Sequence, residues 1–269
     1  MTARRIPVVL ILALMLWGVL SGFQGFQQRR SQAYEREMQH PVEDPPDAYE
    51  DTEFAFARLR FRSPGRGRYR GSWGTDSNRA ERQFVQGVRR LTGIHTRSVE
   101  EIVDIDSDEI FNWPWIYAVE VGYWELSGPQ AMRLREYLDR GGFLVVDDFH
   151  GGWEWSTFQA SLARVFPDRP VVELSDDDPI FHVLYNLDKR FQVPGRQYIG
   201  SGLTYERSDG VAPHWRGIYD DKGRVQVAIL FNMDHGDAWE WADDPNYPEP
   251  FAALAYRIGI NYIVYAMTH

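Results

Sequence analysis

Three side chains suited to acid–base or metal chemistry follow directly on a short apolar run of the chain. The run is Phe143 to Val146, and Asp147, Asp148 and His150 come immediately after it. Its length and valine content predict a strand that is buried on both faces. Because ligands in open α/β sheets bind outside the carboxyl ends of the strands, we expect these three side chains at a functional site.

A second apolar run, Val225 to Phe231, predicts further polar groups at the same edge of the sheet. If the two runs are parallel strands, the polar residues that follow each run come together. We therefore predict five candidate catalytic residues: Asp147, Asp148, His150, Asp234 and His235. Six further residues are predicted to contact a ligand: Glu120, Trp153, Glu154, Asn232, Asp237 and Trp239.

Several carboxylates beside an imidazole suit two kinds of chemistry. Hard cations prefer oxygen ligands, and general acid–base catalysis needs groups that exchange protons. A pair of aspartates can also divide its pKa values, so that one carboxyl stays protonated. Each residue has a structural alternative, since Asp and Asn after strands commonly cap helices and a histidine can be hydrogen-bonded within the fold. The sequence specifies neither a metal nor a cofactor.

Aromatic residues are frequent near the same predicted loops, with Trp153, Tyr205 and Trp239 among them. Aromatic rings beside acids and amides are a common way of holding sugars, because the ring packs on the sugar while the polar groups bind its hydroxyls. This pattern favours a saccharide ligand. The alternative is that the rings fill an irregular core.

The elements that must position these groups alternate between strand and helix. Further strands are predicted at Phe54 to Phe61, Ile116 to Val121 and Val171 to Leu174. Ser127 and Gln130 have the spacing of a capping box at a helix start. The alternation predicts an α/β domain, flavodoxin-like, with a mostly parallel sheet and helices on both faces.

Three more helices are expected. One begins near Ser77 or Asn78, one at Ser156 or Thr157, and the last runs from about Pro248 to Ala266. Because the last one contains Arg257 and Asn261, it is predicted to be a buried amphipathic helix and not a membrane crossing. The stretch from 186 to 224 is predicted to be a long excursion with one or two hairpins.

Composition excludes several classes of function. The 269 residues carry a formal net charge of -10, which disfavours a nucleic-acid partner. The chain has no cysteine, so it has no thiol nucleophile, thiolate metal site or disulfide.

The N-terminal part predicts export. Arg4 and Arg5 precede an apolar run, Ile6 to Leu20, which indicates a signal peptide or a membrane anchor over residues 1–26. The alternative is a buried N-terminal helix of the domain. Residues 27–51 are polar, acidic and proline-bearing, and are predicted to be a flexible linker. The folded domain is expected over residues 52–269.

Several long motifs carry a family resemblance, namely Phe-Ala-Arg-Leu-Arg-Phe at 56–61, Gly-Gly-Phe-Leu-Val-Val-Asp-Asp-Phe-His-Gly at 141–151 and Tyr-Arg-Ile-Gly-Ile-Asn-Tyr-Ile-Val-Tyr-Ala at 256–266. Together they resemble the bacterial domain of unknown function numbered 4159, over residues 52–269. The resemblance implies a class I glutamine-amidotransferase-like fold, in which His150 matches a histidine at a strand end. The amidotransferase cysteine is missing, so glutaminase chemistry is excluded. Relatives implied by the resemblance occur with membrane-associated ATPases, which favours a role in envelope assembly.

Two functions follow as expectations. The first is a non-catalytic binding or scaffold module, exported to the outer face of the inner membrane or to the periplasm and attached through its N-terminal helix. Its partner would be an envelope protein or a saccharide. The alternative is a carboxylate- or metal-dependent hydrolase, or a sensor, that acts on a saccharide or related envelope ligand.

Overall fold

A seven-stranded mixed sheet forms the centre of the computed structural model, which describes residues 46–61 and 73–269. The strands are β1 Ala57–Arg60, β2 Glu101–Asp104, β3 Trp115–Val119, β4 Phe143–Asp147, β5 Val172–Glu173, β6 His214–Tyr219 and β7 Val225–Phe231. They lie side by side in the order β2-β1-β3-β4-β7-β6-β5. The predicted apolar segment of residues 1–26 and most of the predicted linker lie outside the described residues.

Five neighbouring strands of this sheet are parallel, from β2 to β7 in the spatial order, and the α/β prediction is confirmed for them. The remaining pairings, β7 with β6 and β6 with β5, are antiparallel, so the sheet is mixed. The reason is the tight turn between β6 and β7, in which Asp220 N–H donates to the carbonyl of Arg224 (2.8 Å). Such a short connection can join only antiparallel strands.

Helices cover both faces of the sheet. They are α1 Arg79–Thr92, α2 Gly128–Asp139, α3 Gly151–Val165, α4 Gln197–Ser201, α5 His235–Glu240 and α6 Glu249–Thr268. Along β4, Phe143 and Val145 belong to the core under α1 and α6, whereas Leu144 and Val146 belong to the core under α2 and α3. Because both faces are buried, the strand is apolar throughout and not alternating.

The predicted capping box at the start of α2 is confirmed. Gln130 N–H donates to Ser127 Oγ (3.4 Å), and Ser127 N–H donates to Gln130 Oε1 (2.9 Å). These two bonds satisfy amide groups that have no partner within the helix. The helix is followed by Gly141, whose φ of 102° suits glycine and lets the chain turn into β4.

Helix α3 begins earlier than the predicted Ser156 or Thr157. Its first amides find acceptors far away in the sequence, because Gly151 N–H donates to Asn232 Oδ1 and Gly152 N–H to Asp209 Oδ2, both at 2.9 Å. Two glycines are poor helix formers, so these tertiary bonds decide the boundary.

The remaining differences concern short strands. β1 is shorter than the predicted run, and Phe54 contributes only an isolated bridge to Thr96. β2 was not predicted, because its four residues include two acids. The long excursion contains α4 and β6, and β6 forms a hairpin with β7, which begins directly after the excursion.

The C-terminal helix α6 is buried, as predicted. Asn261 within it accepts a hydrogen bond from Tyr185 N–H (2.8 Å) and donates to the Tyr185 carbonyl (2.9 Å). Both the oxygen and the nitrogen of this buried polar side chain thus have a hydrogen-bond partner. No helix within the described residues has both the length and the apolar character of a membrane span.

Candidate functional site

The carboxyl ends of three neighbouring strands share an uncommon backbone conformation. Glu120 follows β3, Asp148 follows β4 and Asn232 follows β7, with φ values of 49°, 50° and 62°. Asp and Asn tolerate this left-handed region better than most residues. Backbone bonds connect the ends: Glu120 N–H donates to the Asp148 carbonyl (3.0 Å) and Asp148 N–H to the Met233 carbonyl (3.2 Å). The strand ends therefore form one connected edge.

Asp147 is the most fully hydrogen-bonded carboxylate of this edge. Its Oδ2 accepts bonds from the Tyr117 hydroxyl (2.7 Å), His235 N–H (2.7 Å) and Gly236 N–H (3.1 Å), and its Oδ1 lies 3.2 Å from His235 Nδ1. The residue is completely buried. Such saturation suits a positioning role, in which Asp147 fixes the start of α5 and the ring of His235.

Asp148 meets two other buried aspartates instead. One carboxylate oxygen from each of Asp76, Asp148 and Asp234 lies within 4.8 Å of the others. The three residues are 5%, 7% and 2% exposed. Oδ2 of Asp76 is buried and has no hydrogen-bond partner among the residues that the structure describes. Asp76, Asp148 and Asp234 together form an aspartate triad.

Burial and mutual repulsion act on the aspartate triad. Desolvation raises the pKa of Asp76, Asp148 and Asp234 well above the usual range. The nearby carboxylate of Asp237 is the next cause in each case, and Arg58 opposes the rise for Asp76 and Asp148. The folded domain thus disfavours the charged triad unless a positive charge enters it.

His150 lies at the outer side of the triad. Its Nε2 is 3.2 Å from Asp148 Oδ1 and 3.8 Å from Glu206 Oε2. Burial raises the pKa of Glu206 to about 7, although His150 opposes the rise. The backbone N–H of His150 donates to Glu154 Oε2 (2.6 Å). Glu206 can therefore exchange protons near neutral pH beside Asp148 and His150.

His235 is completely buried. Its Nε2 has no hydrogen-bond partner among the described residues, while Nδ1 faces Asp147. Its ring packs against Trp239, with ring centroids 6.3 Å apart. Of the predicted catalytic residues, the structure thus places His150 and Asp234 each beside Asp148, and His235 beside Asp147.

Two predicted ligand contacts hold the edge together. Asn232 accepts from Gly151 N–H and donates to the Ala212 carbonyl (2.8 Å). Asp237 accepts from Arg196 N–H (2.6 Å) and Trp241 Nε1 (3.1 Å). These are the turn-forming and capping roles that such residues commonly have after strands.

The other predicted contacts are divided between surface and core. Trp153 is 65% exposed and its ring lies against Tyr123, whereas Trp239 is 1% exposed and packs with Phe84. Glu120 is partly exposed at the end of β3. Trp239 therefore presents no open face to a ligand.

Glu154, also predicted, bridges the surface and the site. It accepts hydrogen bonds from Tyr123 (3.0 Å) and Arg207 (2.8 Å) through Oε1, and from His150 through Oε2. Glu154 thereby connects Tyr123 and the exposed Arg207 with the histidine beside Asp148.

The sequence reasoning missed several residues of the site, chiefly Asp76, Gln197 and Glu206. Asp76 precedes α1 in a loop after β1, and the other two lie in the excursion before β6. Asp76 had no local signal, because 14 residues separate it from the end of the predicted strand at Phe61. Glu206 also had no local signal, because no strand precedes it directly.

The chain belongs to the family of the domain of unknown function DUF4159, whose model matches residues 55–267. The resemblance drawn from the sequence motifs is thereby confirmed. No curated protein matches the chain.

Proposed function

We propose that this DUF4159 domain is a divalent-cation-binding module, with the cation held by the aspartate triad at the strand ends. The observation that carries the proposal is the meeting of three buried carboxylates within 4.8 Å, one of them with an unpartnered oxygen. The triad residues come from three separate segments of the chain. Their proximity is therefore produced by the tertiary fold and not by closeness in sequence.

A cation would resolve the electrostatic conflict of the triad. Buried charges are stable only when they are paired or bind a metal. Arg58 is a nearby basic residue that favours the charged form of Asp76, but its Nε is paired with Glu81. A divalent ion would let the carboxyls release their protons and supply the missing positive charge. The donors are oxygens, which suit hard cations.

The rim above the triad supplies a surface for a further ligand. Trp153 is exposed, Tyr123 packs beside it, and Arg207 is held by Glu154 with its side chain 53% exposed. An aromatic face next to a guanidinium and carboxylates suits a saccharide. The module is accordingly proposed to bind an envelope saccharide or protein partner at this rim.

Titration calorimetry of the full-length chain with Ca²⁺, Mg²⁺ and Mn²⁺ tests cation binding. We expect saturable binding that Asp148→Asn abolishes, because the amide keeps the shape and removes the charge. Asp177→Asn is the matched control, since Asp177 is exposed on a turn outside the site. If no cation binds, or if Asp148→Asn binds as the unchanged protein does, the proposal fails.

Hydrolysis is the second candidate function, and one observation favours it. Glu206, with its pKa raised to about 7, lies 3.8 Å from His150 beside the proposed cation. A cation-bound water and a neighbouring base form a common hydrolytic arrangement. Turnover of envelope saccharides that requires both the cation and His150 would support it. Cation binding without turnover would favour the non-catalytic module.

A relation to the flavodoxin-like and class I glutamine-amidotransferase-like folds is part of the proposal. Its support is the order of the parallel strands, β2-β1-β3-β4-β7, which matches the 2-1-3-4-5 order of flavodoxin-like sheets. Export, membrane attachment through residues 1–26 and an envelope partner stay predictions from the sequence.

A further inference from the structure

Residues 192–212 form a covering segment over the strand ends. Val193 accepts the Asp234 N–H through its carbonyl (3.0 Å), and Gln192 Nε2 donates to the Asn232 carbonyl (2.8 Å). At the other end of the segment, Ala212 accepts from Asn232 Nδ2. Both ends of the segment are thus fixed to the residues that follow β7.

Three side-chain oxygens converge where the covering segment passes closest to the triad. Oδ2 of Asp234, Oε1 of Gln197 and Oε1 of Glu206 lie 2.6, 2.6 and 2.7 Å from the position that a Cβ on residue 195 would occupy. Residue 195 is glycine, so these oxygens approach its backbone without obstruction. The covering segment therefore adds an amide and a carboxylate to the oxygens of the triad.

The side-chain amide of Gln197 is buried without a hydrogen-bond partner among the described residues. Both Oε1 and Nε2 are buried, and neither has a hydrogen-bond partner there. Leaving such a group unpaired costs free energy, so native proteins rarely tolerate it without a ligand, ion or water. Asp76 Oδ2 presents the same anomaly on the opposite side of the triad.

The two groups of oxygens are contiguous. Glu206 shares one set of closely placed ligand atoms with Asp148 and His150, and Asp148 shares another with Asp234. Glu206 and Asp234 meet again beside Gly195. Asp148 thus adjoins both Glu206 and Asp234, and the last two approach each other at Gly195.

We propose that Gln197 and Glu206 complete the ligand set of the triad, and that the bound ion is Ca²⁺. This inference rests on the proposed cation site and names its ion. Five side chains then offer oxygen ligands: Asp76, Asp148, Asp234, Gln197 and Glu206.

Ca²⁺ takes 6–8 oxygens at about 2.3–2.6 Å, including amide carbonyls, in irregular geometry. Two oxygens on one such ion can be up to about 5.2 Å apart, which accommodates the 4.8 Å limit of the triad. Mg²⁺ requires about 2.0–2.1 Å and keeps several waters. A buried set with many protein oxygens therefore favours the larger ion.

The test compares Ca²⁺ and Mg²⁺ affinities of the full-length chain and its variants by calorimetry. We expect Ca²⁺ to bind more tightly than Mg²⁺, and Gln197→Ala to weaken Ca²⁺ binding by about 10-fold or more. Gln197→Glu keeps an oxygen ligand and is expected to retain binding. Gly195→Ala should weaken binding because its Cβ displaces the three oxygens. Gly200→Ala, where a Cβ meets nothing within 4 Å, should not.

The outcomes separate the two proposals. If Asp148→Asn abolishes binding but Gln197→Ala and Gly195→Ala leave the Ca²⁺ affinity unchanged, the covering segment supplies no ligand and this inference is overturned while the triad stands. Tighter binding of Mg²⁺ would likewise overturn the choice of ion. If Asp148→Asn also leaves cation binding unchanged, the proposal of a cation site at the aspartate triad is itself refuted. Unchanged circular dichroism establishes that each variant is folded.

Discussion

Asp147 and His235 are joined twice across the strand ends, by the His235 N–H on Oδ2 (2.7 Å) and by the ring Nδ1 at 3.2 Å from Oδ1. The next residue, Asp148, has the opposite environment, since burial and then its neighbouring carboxylates raise its pKa. Two adjacent aspartates therefore have different roles. Asp147 stabilises the edge, and Asp148 is available for a cation.

Asp147→Asn is expected to lower the free energy of unfolding by about 2–4 kcal/mol, because three donors converge on Oδ2 and an amide cannot replace the charged acceptor. Urea denaturation measures the loss. Asp177→Asn should leave the midpoint unchanged. An Asp147→Asn protein as stable as the parent would show that these bonds contribute little.

Asp148→Asn is expected to leave the cation-free domain at least as stable at pH 7 while removing cation binding. The change relieves repulsion by neighbouring carboxylates, and Asn tolerates the φ of 50°. Asp148→Ala should be less stable than Asp148→Asn by about 1 kcal/mol, since alanine is strained in this conformation. Thermal melts without added metal compare the variants. A melting temperature of Asp148→Asn well below that of the parent would contradict the repulsive environment.

The stability of the cation-free protein should fall as pH rises from about 4 to about 8. The triad carboxyls and Glu206 have raised pKa values in the folded state, so the folded domain holds protons that the unfolded chain releases. The stability due to their neutral forms is complete below about pH 4 and is lost as pH passes through the raised values, which is about 7 for Glu206.

The salt-bridged carboxyls Asp139 and Asp168 have lowered pKa values, so they affect stability in a different pH range. Their contribution is present above about pH 4 and is lost only on further acidification. Melting temperatures measured across this range, with and without saturating Ca²⁺, check the prediction. Ca²⁺ should oppose the decline, because its ligands bind deprotonated. A cation-free protein whose stability rises steadily from pH 4 to 8 would refute it.

Arg58 is expected both to stabilise the core and to position Asp76 in the aspartate triad. It pairs with Glu81, both side chains being fully buried, and its Nη1 donates to the carbonyls of Trp73 (3.0 Å) and Thr75 (2.8 Å) just before Asp76. Arg58→Met is expected to cost about 3–5 kcal/mol, since it leaves a buried charge unpaired. Adding Glu81→Leu should restore most of that stability.

The double variant Arg58→Met/Glu81→Leu separates the effect of Arg58 on stability from its effect on the position of Asp76. The double variant should recover its stability, but the carbonyls of Trp73 and Thr75 lose their hydrogen bonds from Arg58. The cation affinity of the double variant should therefore remain lower than that of the parent. Equal affinity in the double variant and the parent would mean that Arg58 does not position Asp76.

Local signals in the sequence were sufficient for the central strands and for α2. β4 and β7 were predictable because buried parallel strands are continuous apolar runs, and α2 because Ser127 and Gln130 carry its cap within four residues. These features need no information from distant parts of the chain.

The rest depends on distant contacts. The first turn of α3 is held by Asn232 and Asp209, which no local propensity reveals. For the site, the convergence of Asp148 with Asp234 follows from parallel strand ends. Asp76 and Glu206 join them through loop paths that residue patterns do not specify.

Both edges of the sheet are short and charged. β2 has four residues with an acid at each end, and β5 has only two residues, including Glu173 beside Arg216. Long flat edges invite strands of other molecules, and short charged edges oppose them. The sheet is thus protected against edge-to-edge aggregation. We expect any partner to bind through side chains at the strand ends and not by extending the sheet.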